Sequence, residues 1–285
     1  MFKVTDLHFK YPKNEKETIQ GISFEIKKGE IFGFLGPSGA GKSTTQKILI
    51  KLLDQYQGQI EYDEKDIQSL GFDFYESIGV SFEMPIHFSK MTAYENIKFF
   101  LGLYKKNADV ESLMKQVGLW EDKDKLVSEY SKGMKIRLNF VRAMLNNPEM
   151  LFLDEPTNGL DPANAMILKD MIRAFRDQGG TVFITSHIMS DIDQICDRVA
   201  FIVDGQIKEL DSPRNLKLKY GTRKLSVEYQ ENGKLEHVEF ELDQIGKNEK
   251  FLKLIQEKNV ETIHSGETTL EEIFIKVTGV GLNHA

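Results

Sequence analysis

The chain has 285 residues, with a hydrophobic fraction of 40% and a charged fraction of 28%, the composition of an ordinary folded protein, which excludes disordered and fibrous classes. Its length exceeds the usual single domain of roughly 100–150 residues, so a large domain with an appendage, or two domains, is expected. A formal net charge of −7 argues against nucleic acid as a partner, because neutralising phosphates calls for a basic face. The single cysteine, Cys196, excludes an intrachain disulfide and a cysteine-based metal site; it fits a reducing compartment and the role of a small core hydrophobe.

In chain order, Met1 to Asp6 begin a polar/apolar alternation instead of a signal peptide. No stretch approaches the roughly 20 apolar residues needed to span a bilayer, so any membrane role is expected to run through a partner. The run Ile31-Phe32-Gly33-Phe34-Leu35 is continuously apolar, as are Met150 to Leu153, Thr181 to Thr185 and Val199 to Val203. Such runs fit strands covered on both faces, as in a parallel sheet between layers of helices. Helical spacing appears between them, at Ile136, Phe140 and Met144 and at Met171, Ile172 and Phe175. An α/β core follows. Asp204-Gly205 predicts a hairpin that ends the sheet in an antiparallel pair. After Pro213 a polar linker to about Lys224 is expected. Beyond it come strands around Val227 and Tyr229 and around Val238, Phe240 and Leu242, joined by the turn Glu231-Asn232-Gly233. A helix from about Lys250 and another after Thr268, with Glu271 completing a capping box, would close a small α+β unit.

The strongest chemical signal follows the first apolar run: Gly36-Pro37-Ser38-Gly39-Ala40-Gly41-Lys42-Ser43-Thr44 fulfils the G-x-x-x-x-G-K-[ST] pattern. Glycines let backbone N–H groups wrap an anion, the following helix adds the positive end of its dipole, Lys42 reaches the outer phosphates and Ser43 offers a hydroxyl to Mg²⁺. At the end of the run from Met150 stand Asp154 and Glu155. The first is placed to hold Mg²⁺, the second to polarise an attacking water. The chain is therefore expected to be a P-loop nucleotidase.

The segment Tyr130-Ser131-Lys132-Gly133-Met134-Lys135 resembles the signature of ABC ATPases, whose usual form is Leu-Ser-Gly-Gly-Gln. The chain keeps the serine and the second glycine and departs elsewhere. Gly159-Leu160-Asp161 looks like the D-loop of that family, His187 like its switch histidine and Tyr11 like the aromatic that stacks on adenine. Where the family places a Q-loop glutamine, Ser81-Phe82-Glu83-Met84-Pro85 places Glu83, a carboxylate able to bind a hard cation. The resemblance covers residues 1–213. It implies a P-loop core with an antiparallel β subdomain and a helical signature subdomain over about 84–148, followed by an accessory α+β unit over 214–285.

By the same resemblance the chain is the ATP-hydrolysing subunit of an ABC transporter, using ATP and Mg²⁺ at the cytoplasmic face of the membrane beside a separate permease chain. Two copies, in a homodimer, sandwich two nucleotides, with Ser131, Gly133 and Met134 of one subunit meeting the γ-phosphate held by Lys42 of the other. Asp161 belongs to the nucleotide-contacting set, with Lys42, Glu155 and His187 as catalytic groups and Ser43, Asp154 and Glu83 as metal ligands. The signature, the run Pro156 to Pro162 and the tail Leu270 to Phe274 look like bacterial exporters of the ABC-2 type. Trp120 and the cluster Phe99, Phe100 and Leu103 fall in the helical region that faces the permease in such proteins. A rival reading is a non-transport ABC ATPase, which usually carries two cassettes or a coiled coil; one P-loop and no heptad run disfavour it. The substrate is not encoded in these residues.

Overall fold

A computed structural model describes residues 1–106, 108–231 and 233–281, which divide into two compact units, Met1–Ser212 together with 280–281, and Pro213–Gly279. The first unit begins with β1 (Phe2–Phe9), β2 (Ile19–Ile26), β3 (Ile31–Leu35), α1 (Lys42–Leu49), β4 (Gln57–Tyr62) and β5 (Lys65–Asp66). Next come α2 (Asp73–Ser77), β6 (Ile78–Ser81), α3 (Ala93–Leu101), α4 (Val110–Gln116) and α5 (Lys132–Ala143). It ends with β7 (Met150–Asp154), α6 (Pro162–Asp177), β8 (Thr181–Ser186), α7 (Met189–Ile195), β9 (Arg198–Val203) and β10 (Gln206–Asp211).

Two sheets result. One is antiparallel, in the order β2-β1-β4-β5; the other, in the order β10-β9-β3-β8-β7-β6, is parallel except for its β9–β10 edge. The apolar runs become its central strands, and every residue of β3, β7 and β8 is buried, which explains why those strands show no polar alternation. The Asp204-Gly205 hairpin forms as expected, with Gln206 opposite Val203. A shared aromatic core joins the two sheets: Phe2 meets Phe152 edge-on at 5.7 Å, and Phe24 stacks on Phe32 at 5.7 Å. Cys196 is buried at the end of α7 as a small core residue, its Sγ 2.9 Å from where a Cβ on Gly33 would stand.

The second unit comprises α8 (Pro213–Tyr220), β11 (Arg223–Glu231), β12 (Lys234–Glu241), α9 (Glu249–Glu257), β13 (Asn259–Glu267) and α10 (Leu270–Thr278), with the sheet order β12-β11-β13. The polar linker expected from Pro213 is instead largely the helix α8. Proline suits a first helical position, where its missing N–H costs no bond, and Leu216 gives the helix a buried anchor. The capping box of α10 lies one residue later than the sequence spacing indicated, with Thr269 accepting from Glu272 N. Thr268 is occupied elsewhere, since its hydroxyl donates to Thr222 O at 2.9 Å and accepts from Thr222 N at 2.8 Å. Strand β13 was not foreseen. The hairpin β11–β12 pairs Glu231 with Lys234; of the turn read from the sequence, Asn232 lies outside the described residues.

Gly79 in β6 lets α5 pack tightly on the parallel sheet, because a Cβ there would stand 1.9 Å from the carbonyl oxygen of Ala143 at the end of α5. Gly79→Ala is expected to cost about 3 kcal/mol through forced separation of α5 from the sheet, measured by denaturant unfolding. Burial, together with the carboxylates of Asp197 and Glu30, pushes the Cys196 thiol well above its ordinary range. Since the thiolate is the reactive form, a disulfide reagent is expected to label the native chain only slowly at neutral pH, and to react at once when denaturant is added.

Candidate active site

The parallel sheet gathers its loops at one edge. Register pairs Leu35 with Ser186 and Asp154 with Thr185, so β3, β7 and β8 end level, and the segments that follow them open together. Ligands in such sheets bind outside the carboxyl ends of the strands. A cavity of about 1100 Å³ lies there, lined among others by Tyr11, Ser38, Lys42, Glu83, Glu155 and His187.

The loop from Gly36 to Gly41 can form only with glycine at its hinge points. A Cβ on Gly36 would lie 2.1 Å from Ile202 O, and Gly41, the N-cap of α1, has φ +106°. Pro37 O accepts from Ala40 N at 3.2 Å, and Ala40 O accepts from Gly205 N at 3.1 Å, which ties the loop to the β9–β10 hairpin. Lys42 is buried, its Nζ donating to Gly36 O at 2.7 Å and Pro37 O at 3.1 Å and standing 3.7 Å from Glu155 Oε1. Desolvation lowers the pKa of that ammonium, and the charges of Glu155, Asp154 and Glu83 act against the shift. Its Nζ thus sits between the loop carbonyls and Glu155, at the wall of the cavity.

Ser43 Oγ donates to Asp154 Oδ1 at 3.1 Å, and the Thr185 hydroxyl donates to the same oxygen. Among the described residues, no group of three or more His, Cys, Asp or Glu side chains is placed to hold a metal ion. The hydroxyl of Ser43 and the carboxylates of Asp154 and Glu83 are oxygen donors of the kind a hard cation takes. Glu83 lines the cavity and its Oε1 accepts weakly from Asn158 Nδ2 at 3.4 Å.

Glu155 follows Asp154 with φ +49°, a left-handed conformation that costs a non-glycine residue energy and persists where surroundings enforce it. Its N–H donates to Thr185 O at 3.0 Å and its carbonyl accepts from Asn158 N at 3.1 Å. The turn aims the side chain back across β8. There Oε2 accepts from His187 N at 3.2 Å and from Ser186 Oγ at 3.3 Å, with His187 Nδ1 2.9 Å away. Glu155 is almost fully buried and His187 half exposed. A carboxylate held this way keeps one oxygen oriented by three partners and the other toward Lys42. Tyr11 packs edge-on against Phe9 at 4.8 Å, and its hydroxyl lies 3.2 Å from Thr44 Oγ1.

The signature segment is elsewhere. Ser131 caps α5, accepting from Met134 N at 3.2 Å, and neither it nor Gly133, Met134 or Asp161 lines the cavity. Asp161 caps α6, accepting from Ala163 N at 3.1 Å and Asn164 N at 3.0 Å, and bonds to the Asn164 side chain and backbone lower its pKa. Signature and D-loop touch each other within the chain. The Lys132 side chain lies over Gly159, and Gly133 faces Leu160. The cavity also takes residues that the motifs did not single out, chiefly the charged turn from Lys13 to Glu17 between β1 and β2 and the Asp204-Gly205 hairpin. The first carried only the signal of charge clustered just after Tyr11-Pro12.

The profile of the ABC transporter family matches residues 19–158, and that of the fluoroquinolone efflux ABC transporter C-terminal domain matches residues 223–267. Over 281 residues the chain is 49% identical to the fluoroquinolones export ATP-binding protein of Mycobacterium tuberculosis strain ATCC 25618 / H37Rv, covering 98% of this chain and 93% of that protein. Over 303 residues it is 34% identical to the bacitracin transport ATP-binding protein of Bacillus licheniformis, covering 99% and 98%. Among solved structures, the ATP-binding subunit of an ABC transporter superposes with a TM-score of 0.70 at 23% identity, over 77% of this chain and 93% of that one. A dimeric post-hydrolysis ATP-binding cassette bound to ADP and Pi gives 0.67 at 23% identity, over 74% and 98%. The structural likenesses establish the fold and the sequence likenesses the lineage, and together they place the chain in the family of ABC transporter ATP-binding proteins.

Proposed function

We propose that the chain binds and hydrolyses ATP as the engine of an exporter whose transport path is a separate membrane protein, and that two copies form the working unit. The observation that carries this reading is the meeting of Lys42, Ser43, Glu155 and His187 in the lining of one cavity, with Asp154 bonded to Ser43 behind it. In this reading the loop N–H groups and Lys42 hold the phosphates, and Tyr11 offers its ring to the base. Phosphoryl transfer then needs positioning and electrostatics more than covalent chemistry. Glu155 orients the attacking water and takes its proton. His187, bonded to Glu155, fixes the carboxylate and presents its ring toward the γ-phosphate. Ser43, Asp154 and Glu83 would hold Mg²⁺, which would neutralise charge developing on the β- and γ-phosphate oxygens.

Support for a second copy comes from what lies outside the cavity. A site that needs Ser131, Gly133 and Met134 must receive them from another chain, because in this one they cap a helix away from Lys42. Nucleotide then holds the pair together, and hydrolysis releases it, the two-state element that a membrane partner can read. No helix among the described residues is long and apolar enough to cross a membrane, so the transport path falls to the partner, at the inner face of the membrane. An apolar groove of about 350 Å³, lined by Leu52, Val80, Phe82, Phe100 and Leu103, offers that partner a seat beside the exposed side chains of Met84 and Ile86. The names of the relatives make fluoroquinolones and bacitracin the first cargo to try.

The test is the mass in solution of Glu155→Gln with and without Mg-ATP. The expected result is a monomer that becomes a stable dimer only when Mg-ATP is present, with hydrolysis reduced by at least about a hundredfold. A persistent monomer with ATP bound contradicts the two-copy reading.

A further inference from the structure

The segment after β6 carries Glu83 to the nucleotide cavity and then turns Met84, 79% exposed, to the surface. Helix α5, which starts at the signature, grips that segment on either side of the tip. Asn139, 1% exposed and about two turns along α5 from Ser131, donates from Nδ2 to Ser81 Oγ at 2.8 Å and to Phe82 O at 2.9 Å. Its Oδ1 accepts from Arg142 Nη2 at 2.7 Å, and Arg142 Nη1 donates to Ile86 O at 2.7 Å. His87 Nε2 donates to Lys135 O at 3.1 Å, again on α5. Beyond the grip, Asn96 of α3 holds both the N–H and the carbonyl of Phe88, at 2.8 and 3.0 Å. Glu83, Met84 and Pro85 are left spanning two fixed points, at Phe82 and Ile86.

A buried amide with its donors and its acceptor engaged fixes geometry, because any relative movement of the groups it joins leaves one of them unpaired. We propose that Asn139 is a positioning residue for ATP hydrolysis: it locks the Glu83 tip to the signature helix, directly at Phe82 and through Arg142 at Ile86. The metal side of one nucleotide site and the signature offered to the other then move as one rigid body. Displacement of the tip is carried along the axis of α5 to Ser131, and closure around a partner's nucleotide is carried back to Glu83. This rests on the reading of Glu83 as a Mg²⁺ ligand and of Ser131 as a partner-facing group.

The test is a double-mutant cycle in the full chain between Asn139→Leu, which keeps the branched four-atom outline and removes the hydrogen bonds, and Glu83→Gln. Hydrolysis is followed against Mg²⁺ concentration, ADP affinity is measured without metal, and Mg-ATP-dependent dimer mass is measured in the Glu155→Gln background. Asn139→Leu is expected to lower kcat about tenfold, as loss of a supporting hydrogen-bond shell does at metal sites. It shifts the Mg²⁺ midpoint in the same direction as Glu83→Gln and leaves ADP affinity unchanged. Adding Glu83→Gln then produces no further shift, because both changes act through one tip. Independent, multiplying effects overturn the proposal, as does a parallel loss of ADP affinity and kcat. If Glu83→Gln alone leaves the Mg²⁺ midpoint in place, the metal reading of Glu83 falls by itself. The lock is then judged by dimer formation: an unchanged ATP requirement in Asn139→Leu overturns it, and a requirement raised several-fold sustains it. Should Asn139→Leu fail to fold, Arg142→Gln, which breaks the Ile86 bond, enters the same cycle.

Discussion

The parallel pairing of β3, β8 and β7 is the constraint on which the nucleotide cavity depends. Because Leu35 lies opposite Ser186 and Asp154 opposite Thr185, three loops leave the sheet at one level. Two of them turn inward through a backbone device: glycine at Gly36 and Gly41 in the first, a left-handed Glu155 in the second. A shift of one residue in any of these strands would carry Glu155 away from His187 and Asp154 away from Ser43, since side chains in a strand alternate faces. The large apolar core beneath, with Phe2, Phe32, Phe152 and Phe183 buried, holds that register.

Charge organises what the register brings together. Three carboxylates, Glu83, Asp154 and Glu155, act on one buried ammonium, Lys42, and Lys13 and Lys16 add positive charge at the cavity wall. In the proposed reading the hydroxyl of Ser43 and the carboxylates of Asp154 and Glu83 would hold Mg²⁺. The hydrogen bonds from His187, Ser186 and Thr185 leave little rotational freedom to either acidic side chain of β7's end. Preorganisation of this kind matters more than proton affinity in phosphoryl transfer.

The sequence made the P-loop and the Asp154-Glu155 pair readable because their chemistry is local: a strand, a turn of fixed geometry and a helix within a few residues. His187, Tyr11 and Ser131 were legible only as members of an ordered series, since each alone is an ordinary loop aromatic, strand end or helix cap. What escaped was set by distant partners. Thr269 caps α10 because Thr222 engages Thr268; the turn after Tyr11 lies in the cavity wall; Asn139 acts through Phe82, far away in sequence. In a helix of apolar period, Asn139 looks like a misplaced polar residue, and only the contact shows its purpose.

The claim at the centre of this account is that each nucleotide site is shared between two chains. Complementation between two inactive variants tests it most directly. Lys42→Ala spoils the P-loop and leaves the signature, and Ser131→Arg does the reverse. Mixed as purified chains with Mg-ATP, they are predicted to regain hydrolysis, because one of the two sites in a mixed dimer then combines an intact Lys42 with an intact Ser131. Activity that stays at the level of the separate variants, while the mixed dimer is seen to form, would contradict it.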